Sequence, residues 1–295
     1  MFSGSYVALV TPFKNNKVDF EKIKELVKFH IDNGTSGIVP CGTTGESATL
    51  SNEEHEAVIE AVVLAAGKKV KVIAGTGSNC TDEAIVLTKF AEKVGCDGTL
   101  QVSPYYNKPT QKGLYLHFKA IAESANIPVM LYNIMSRTGV NIEPATIAKL
   151  AKDCKNINSI KEASGSLEQM AAIKQLCPNM DLLSGDDAIT LPVLSIGGAG
   201  IVSVVANIVP KDTAELCRAW FAGDVRKAQD IHYKLMPLVK AMFIETNPIP
   251  VKEAMGLMGM CSAEMRLPMC PMEEPNKKKL SAALKDYGLL LEVKQ

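Results

Sequence analysis

The chain has 295 residues, 47% of them hydrophobic, and its 32 basic and 32 acidic side chains leave a formal net charge of +0. That is the size of one α/β barrel with an appendage, with enough apolar material for a sizeable core. No charge block marks a nucleic-acid or membrane-surface partner, and no apolar run reaches the ~20 residues that a spanning helix needs.

Residues 1–12 lack a basic stretch followed by an apolar one, so they read as a first strand and not as a secretion signal. A cytoplasmic protein is expected. From there β-rich runs alternate with helical stretches. Strands are predicted over 5–10, 37–40, 70–74, 98–102, 128–132, 157–161, 180–183 and 200–205. Most are nearly pure apolar runs, as strands buried on both faces are. Between them, Asp19 is placed to cap a helix with the buried stripe Phe20, Ile23, Val27 and Ile31, which Asn33-Gly34 ends. Ser51 and Glu54 have capping-box spacing, and Thr81-Asp82-Glu83 offers a cap and two acids to a third helix. Eight such units argue for a (β/α)8 TIM barrel. A doubly wound sheet would carry a GxGxxG turn after its first strand, and none follows residues 5–10.

Beyond about residue 224 the strand pattern stops. Helices are predicted over 224–246, 249–259 and 277–290, the first two broken apart by Asn247-Pro248-Ile249-Pro250. The chain thus divides into a barrel over 1–223 and a C-terminal helical region over 224–295. Six Met between 255 and 272 suit an adaptable core or interface. The eight cysteines, at 41, 80, 96, 154, 177, 217, 261 and 270, form no CxxC pair, which disfavours zinc and fits a reducing compartment.

Chemistry in a barrel gathers at the carboxyl ends of the strands. The second strand leads into Cys41-Gly42-Thr43-Thr44-Gly45-Glu46-Ser47. Its glycines let consecutive amides converge on an anion, although a tight turn with capping threonines explains the run equally well. The fourth leads into Ser103-Pro104-Tyr105-Tyr106-Asn107, where the tyrosines serve packing or a site. The fifth ends Leu131-Tyr132-Asn133 and is followed by Ser136-Arg137-Thr138-Gly139. Tyr132 can relay protons within a hydrogen-bonded network, and Arg137 can clamp a carboxylate, unless it is an ordinary surface arginine. The sixth carries Lys161. Burial there favours the neutral amine that attack on a ketone requires, while rim exposure or pairing with Glu162 is the plainer alternative. His30, His55, His117 and His232 show no metal-binding spacing, and His30 and His232 read as packing or surface groups. Gly197-Gly198-Ala199-Gly200 precedes the last strand and reads as an αβ turn. Asp186-Asp187 lacks a third nearby ligand, so no metal is expected.

Three motifs in order, Gly42-Thr43-Thr44-Gly45-Glu46, Tyr132-Asn133 with Ser136-Arg137-Thr138-Gly139, and Ile160-Lys161-Glu162-Ala163-Ser164-Gly165, are together far more specific than any one. Through them, from about Val7 to its C-terminus, the chain resembles the pyruvate-dependent lyases of the dihydrodipicolinate synthase and N-acetylneuraminate lyase superfamily. The resemblance implies a class I aldolase-type enzyme in which Lys161 holds pyruvate as a Schiff base. It also implies a proton relay of Tyr132, Thr43 and Tyr106, the last reaching in from a neighbouring subunit. The pyruvate carboxylate would rest on Thr43 and Thr44, with Gly185 and Val202 lining the pocket. A homotetramer, a dimer of dimers, is the usual assembly of the family. No cofactor is implied, because the lysine is itself the electron sink.

Thr43-Thr44 and the arginine at 137 resemble the synthase branch, which implies aspartate 4-semialdehyde as second substrate and a place in lysine and diaminopimelate synthesis. Lyases of sialic acid or 2-keto-3-deoxy sugar acids share Lys161 and Tyr132, and a non-catalytic small-acid-binding barrel is a further alternative. Met135 stands where the family pattern has proline, which should loosen the Arg137 loop. Many members bind lysine at positions matching Ser47, Ala48, Asn52, His55, Asn79, Glu83 and Tyr105. Asn52 replaces a histidine found in strongly regulated members, so weak or absent inhibition by lysine is expected.

Overall fold

A computed structural model describes residues 2–290. Its strands are β1 (Gly4–Ala8), β2 (Phe13–Lys14), β3 (Lys17–Val18), β4 (Gly37–Val39), β5 (Lys71–Gly75), β6 (Gly98–Val102), β7 (Val129–Asn133), β8 (Ile157–Glu162), β9 (Asp181–Ser184) and β10 (Gly200–Ser203). Around the barrel the helices are α1 (Phe20–Asp32), α2 (Asn52–Ala66), α3 (Thr81–Lys93), α4 (Gln111–Glu123), α5 (Met135–Thr138), α6 (Pro144–Asp153), α7 (Leu167–Leu176), α8 (Thr190–Ser195) and α9 (Pro210–Phe221). Three more follow: α10 (Val225–Met242), α11 (Ile249–Leu257) and α12 (Glu274–Asp286). Eight parallel strands close in the order β1-β10-β9-β8-β7-β6-β5-β4, and β4 pairs back onto β1. The TIM barrel expected from the alternation is therefore present, each strand within two residues of its predicted bounds.

Where the bounds differ, hydrogen bonds explain why. The last strand stops at Ser203 because the amides of Val204 and Val205 turn to Asp187 Oδ2, at 2.9 and 3.3 Å. The first stops at Ala8, and two residues on the Val10 amide donates to Asn207 Oδ1 at 3.2 Å. The β2–β3 hairpin was not anticipated. Its two-residue turn, Asn15-Asn16, has φ of 53° and 60°, the left-handed pair that a type I′ hairpin needs and that asparagine tolerates.

Two helix expectations need correction. In α1 Asp19 does accept from the Lys22 amide, but the buried face is Ile23, Leu26, Val27 and His30, with Phe20 exposed. The helix α3 is capped by Cys80 without a side-chain bond, because the Thr81 hydroxyl is engaged with His117 Nδ1 at 2.9 Å. The Ser51–Glu54 capping box is formed in full.

The barrel interior is filled by Tyr6, Ala8, Val39, Ile73, Leu100, Met130, Tyr132, Leu183 and Val202, so it is a packed core and not a pore. A second apolar cluster lies between β7–β9 and their helices, and a third joins Val7 and Leu9 of the first strand region to Leu280 and Leu284 of α12. Met255 and Met272 are buried in the third, and Met258, Met260, Met265 and Met269 pack against it. All eight cysteines are unbridged. Among the described residues no helix is long and apolar enough to cross a membrane.

His30 and His232 are both buried, as packing groups. Burial pushes the His30 imidazole down to about 3 and that of His117 down to about 4. Folded values below the unfolded one mean that only the unfolded chain takes up these protons as pH falls. Stability is then complete above the ordinary histidine range and declines below it, by up to ~1.4 kcal/mol per pH unit for each group. Urea unfolding between about pH 7 and about pH 5 should show this decline, and His30→Gln/His117→Gln should flatten it. Parallel slopes would contradict it.

Candidate active site

The sixth barrel strand, β8, is set against β7 with one residue to spare. Val129 pairs with Ile157 but Met130 pairs with Ser159, which leaves Asn158 as the extra residue. Beyond that shift Tyr132 stands opposite Lys161, and Asn133 opposite Glu162. Tyr132 is in the interior core, and Lys161, 6% exposed, holds its Nζ 4.2 Å from the centroid of the Tyr132 ring. Among the described residues no carboxylate forms an ion pair with Lys161.

Pairing with Glu162 is ruled out by where that carboxylate goes. Glu162 is fully buried and accepts from Asn133 Nδ2 at 3.2 and 3.0 Å, Gln169 Nε2 at 3.0 Å and the Ser164 amide at 2.8 Å. Asn141 closes the set, accepting from Asn133 Nδ2 at 2.8 Å and donating to Gln169 Oε1 at 2.7 Å. A buried carboxylate with this many donors needs no cation. Gly185, after β9, lies under the lysine stem, where an added Cβ would fall 3.1 Å from Lys161 Cε and 2.6 Å from Ala163 Cβ. Val202 is buried in the interior cluster that also contains Tyr132.

The turn after β4 is built from unusual backbone. Cys41 and Glu46 have φ of 54° and 52°, both left-handed without being glycine. The amides of Thr43 and Thr44 make no hydrogen bond among the described residues. Thr44 is buried, and its Oγ1 accepts from Asn247 Nδ2 at 3.0 Å. The carbonyl of the same Asn247 accepts from Arg137 Nη2 at 3.0 Å. Arg137 lies on α5, which closes as one helical turn with Met135 in it and ends at Gly139, φ 71°. Asn247 was read from sequence only as a helix break, yet it joins two of the predicted site residues.

A cavity of about 410 Å³ opens over these groups. Thr43, Tyr132 and Arg137 line it, and so do Ser47, Ala48, Asn52, His55, Glu83 and Tyr105. Lys161, Thr44, Gly185 and Val202 do not line it, although Lys161 is held against Tyr132 and Thr44 is bonded to Asn247, both of which do. Asn79 does not line it, and instead donates from Nδ2 to the Tyr105 carbonyl at 3.2 Å. Tyr106 is also outside it, 90% exposed, with φ 71°. Burial holds the His55 imidazole below its ordinary range, and Nε2 is 2.7 Å from the Gly75 carbonyl oxygen. The Asp186-Asp187 pair is committed to local structure. Asp186 Oδ1 caps the Ala188 amide at 2.8 Å, and Asp187 also accepts from Ser203 Oγ at 2.5 Å. Gly197-Gly198-Ala199-Gly200 forms the turn between α8 and β10, away from the site.

Gly185→Ala should destabilise the fold by about 1–3 kcal/mol through overpacking, read as a lower urea midpoint, and should move Lys161 off the Tyr132 ring in a crystal structure. An unmoved lysine would show that Gly185 does not set its place.

The profile of the Dihydrodipicolinate synthetase family matches residues 1–287. The 4-hydroxy-tetrahydrodipicolinate synthase of Endomicrobium trichonymphae is 64% identical over 290 residues, which cover 98% of this chain and 100% of that protein. Among solved structures, dihydrodipicolinate synthase from Aquifex aeolicus is 51% identical and superposes with a TM-score of 0.97, covering 99% of this chain and 100% of that one. The chloride-inhibited dihydrodipicolinate synthase of Acinetobacter baumannii, complexed with pyruvate, is 44% identical with a TM-score of 0.96, covering 98% and 100%.

Proposed function

The chain belongs to the Dihydrodipicolinate synthetase family, and we propose that it joins pyruvate to aspartate 4-semialdehyde through a Schiff base on Lys161. The activity is that of a 4-hydroxy-tetrahydrodipicolinate synthase, a lyase of lysine and diaminopimelate synthesis. One observation carries the assignment of the nucleophile. Lys161 is a buried amine without a carboxylate partner among the described residues, held against Tyr132, which lines a cavity together with Thr43 and Arg137.

The amine of Lys161 adds to the pyruvate ketone, and water leaves to give an iminium. The iminium draws electrons from the methyl carbon, whose proton departs to give an enamine. Tyr132 and Thr43, both on the cavity wall, carry protons between site and solvent. The unpartnered amides of Thr43 and Thr44 take the pyruvate carboxylate. The enamine carbon then attacks the aldehyde of the second substrate. Arg137, steadied by the Asn247 carbonyl, grips that substrate's carboxylate. Attack of the semialdehyde's amino group on the iminium carbon closes the ring and frees Lys161.

Tyr106 completes the relay from a neighbouring subunit. Its 90% exposure, which leaves the ring without cover from its own chain, supports this role. The assembly is a homotetramer made of two such dimers, working in the cytoplasm. The wall formed by Ser47, Ala48, Asn52, His55, Glu83 and Tyr105 takes lysine weakly or not at all, with Asn79 holding the Tyr105 loop.

Borohydride added with pyruvate should leave a reduced adduct on Lys161 in the mass spectrum, and Lys161→Ala should lose the adduct while keeping its circular dichroism. Absence of an adduct in the wild type would sink the mechanism. Arg137→Ala should lower kcat/KM for the semialdehyde by about a hundredfold or more, with pyruvate trapping little changed, as loss of a charged bidentate contact implies. Equal losses for both substrates would remove Arg137 from its role. In the same assay sub-millimolar lysine should leave the rate nearly unchanged.

A further inference from the structure

Glu46 closes the Thr43–Thr44 turn and yet has no part in the chemistry described above. Its amide donates to the Thr43 carbonyl at 3.1 Å, so the turn folds back on Glu46. Glu46 borders the cavity, but its carboxylate is buried against the segments that follow the barrel. There Lys252 of α11, 0% exposed, reaches Glu46 Oε1 at 2.6 Å, and the Arg266 amide reaches Oε2 at 3.2 Å. Lys252 Nζ also donates to the Thr11 carbonyl at 3.0 Å and lies 4.3 Å from the Phe13 ring centroid. The Thr11 hydroxyl in turn donates to the Gly45 carbonyl at 2.6 Å. One buried ammonium therefore holds Glu46 directly and Gly45 through Thr11, while Asn247 holds Thr44.

Stability alone is a weak reason for such a pair. Two charges taken from water regain little net free energy, and well-packed apolar side chains often do as well in their place. A left-handed Glu46, moreover, persists only where its surroundings over-determine it. We infer that Glu46 and Lys252 are positioning residues for the carboxylate-binding turn, so that the helices after the barrel set the affinity for pyruvate. This rests on the proposed function, in that pyruvate is taken as the occupant of the turn.

The test is the double substitution Glu46→Gln/Lys252→Met, which removes both charges and strands neither. Its pyruvate KM should rise about tenfold, the value of one misplaced charged contact, while kcat at saturation changes less than about threefold. A folded double variant with an unchanged pyruvate KM would overturn the inference. Should that variant fail to fold, amide exchange in the wild type decides. Pyruvate should slow exchange of the Arg266 amide, which bonds Glu46, because coupling between turn and tail is reciprocal. An unaltered Arg266 rate would overturn it too. A wild type that forms no borohydride adduct would instead refute the assignment of Lys161, so the two failures are distinct.

Discussion

A single extra residue in β8 governs the rest. Side chains alternate along a strand, so a shift of one position exchanges inside for outside. Were Asn158 paired in regular register opposite Met130, Ile160 would stand opposite Tyr132, and Lys161 would face the helices. With Asn158 left out of the ladder, Ile160 falls into the apolar cluster between sheet and helices, and Lys161 enters the barrel. Bulges near active sites re-aim side chains in this way. The arrangement is locked one step further on, where Asn133 and Glu162 bond across the strands on the opposite face. The outer face of the β7–β8 pair is thus polar and saturated just where the inner face carries an unpaired amine.

Much of this was legible in the sequence because barrels repeat. Eight apolar runs at regular spacing imply parallel strands, and residues just past each run fall at one end by construction. Lys161, Tyr132, Thr43 and Arg137 were singled out in that way; Thr43, Tyr132 and Arg137 line one cavity, and Lys161 lies against the Tyr132 ring. What sequence did not reveal was contact between distant segments. Asn247 looked like the end of a helix, because its two hydrogen bonds join it to Thr44 and Arg137, far away in the chain. Lys252 had a faint signal, as a lone cation among Ile249, Val251, Ala254 and Met255. Its partner cannot be identified by counting along the chain. The Thr81 cap failed for a like reason, since a tertiary bond to His117 outcompeted a local one.

The candidate site residues divide by rigidity of support. Lys161, Tyr132 and Val202 are on strands, in a core where displacement by one methylene is felt. Thr43, Thr44 and Arg137 are on connections and owe their places to hydrogen bonds from elsewhere, above all to Asn247. In the proposed mechanism, reaction with the ketone is thereby set by the barrel, and grip on carboxylates by the segments bonded through Asn247. Arg266 adds a further clasp. It donates to both oxygens of Glu54, at 2.5 and 2.6 Å, and to the Thr49 carbonyl at 2.9 Å, and it covers the Phe13 ring. The Arg266 contact also holds the Glu54 carboxyl below its ordinary range, so this clasp remains ionised in mildly acidic solution.

The ion pair between Glu46 and Lys252 also bears on the order of synthesis. The carboxylate leaves the ribosome early, whereas its cation is made 206 residues later. Every barrel strand has been translated by then, so a nascent chain can wind its eight strands while the turn proposed to take the substrate still lacks its anchor. On the proposed roles of that turn and of Lys252, competence to bind pyruvate is among the last properties the growing polypeptide acquires.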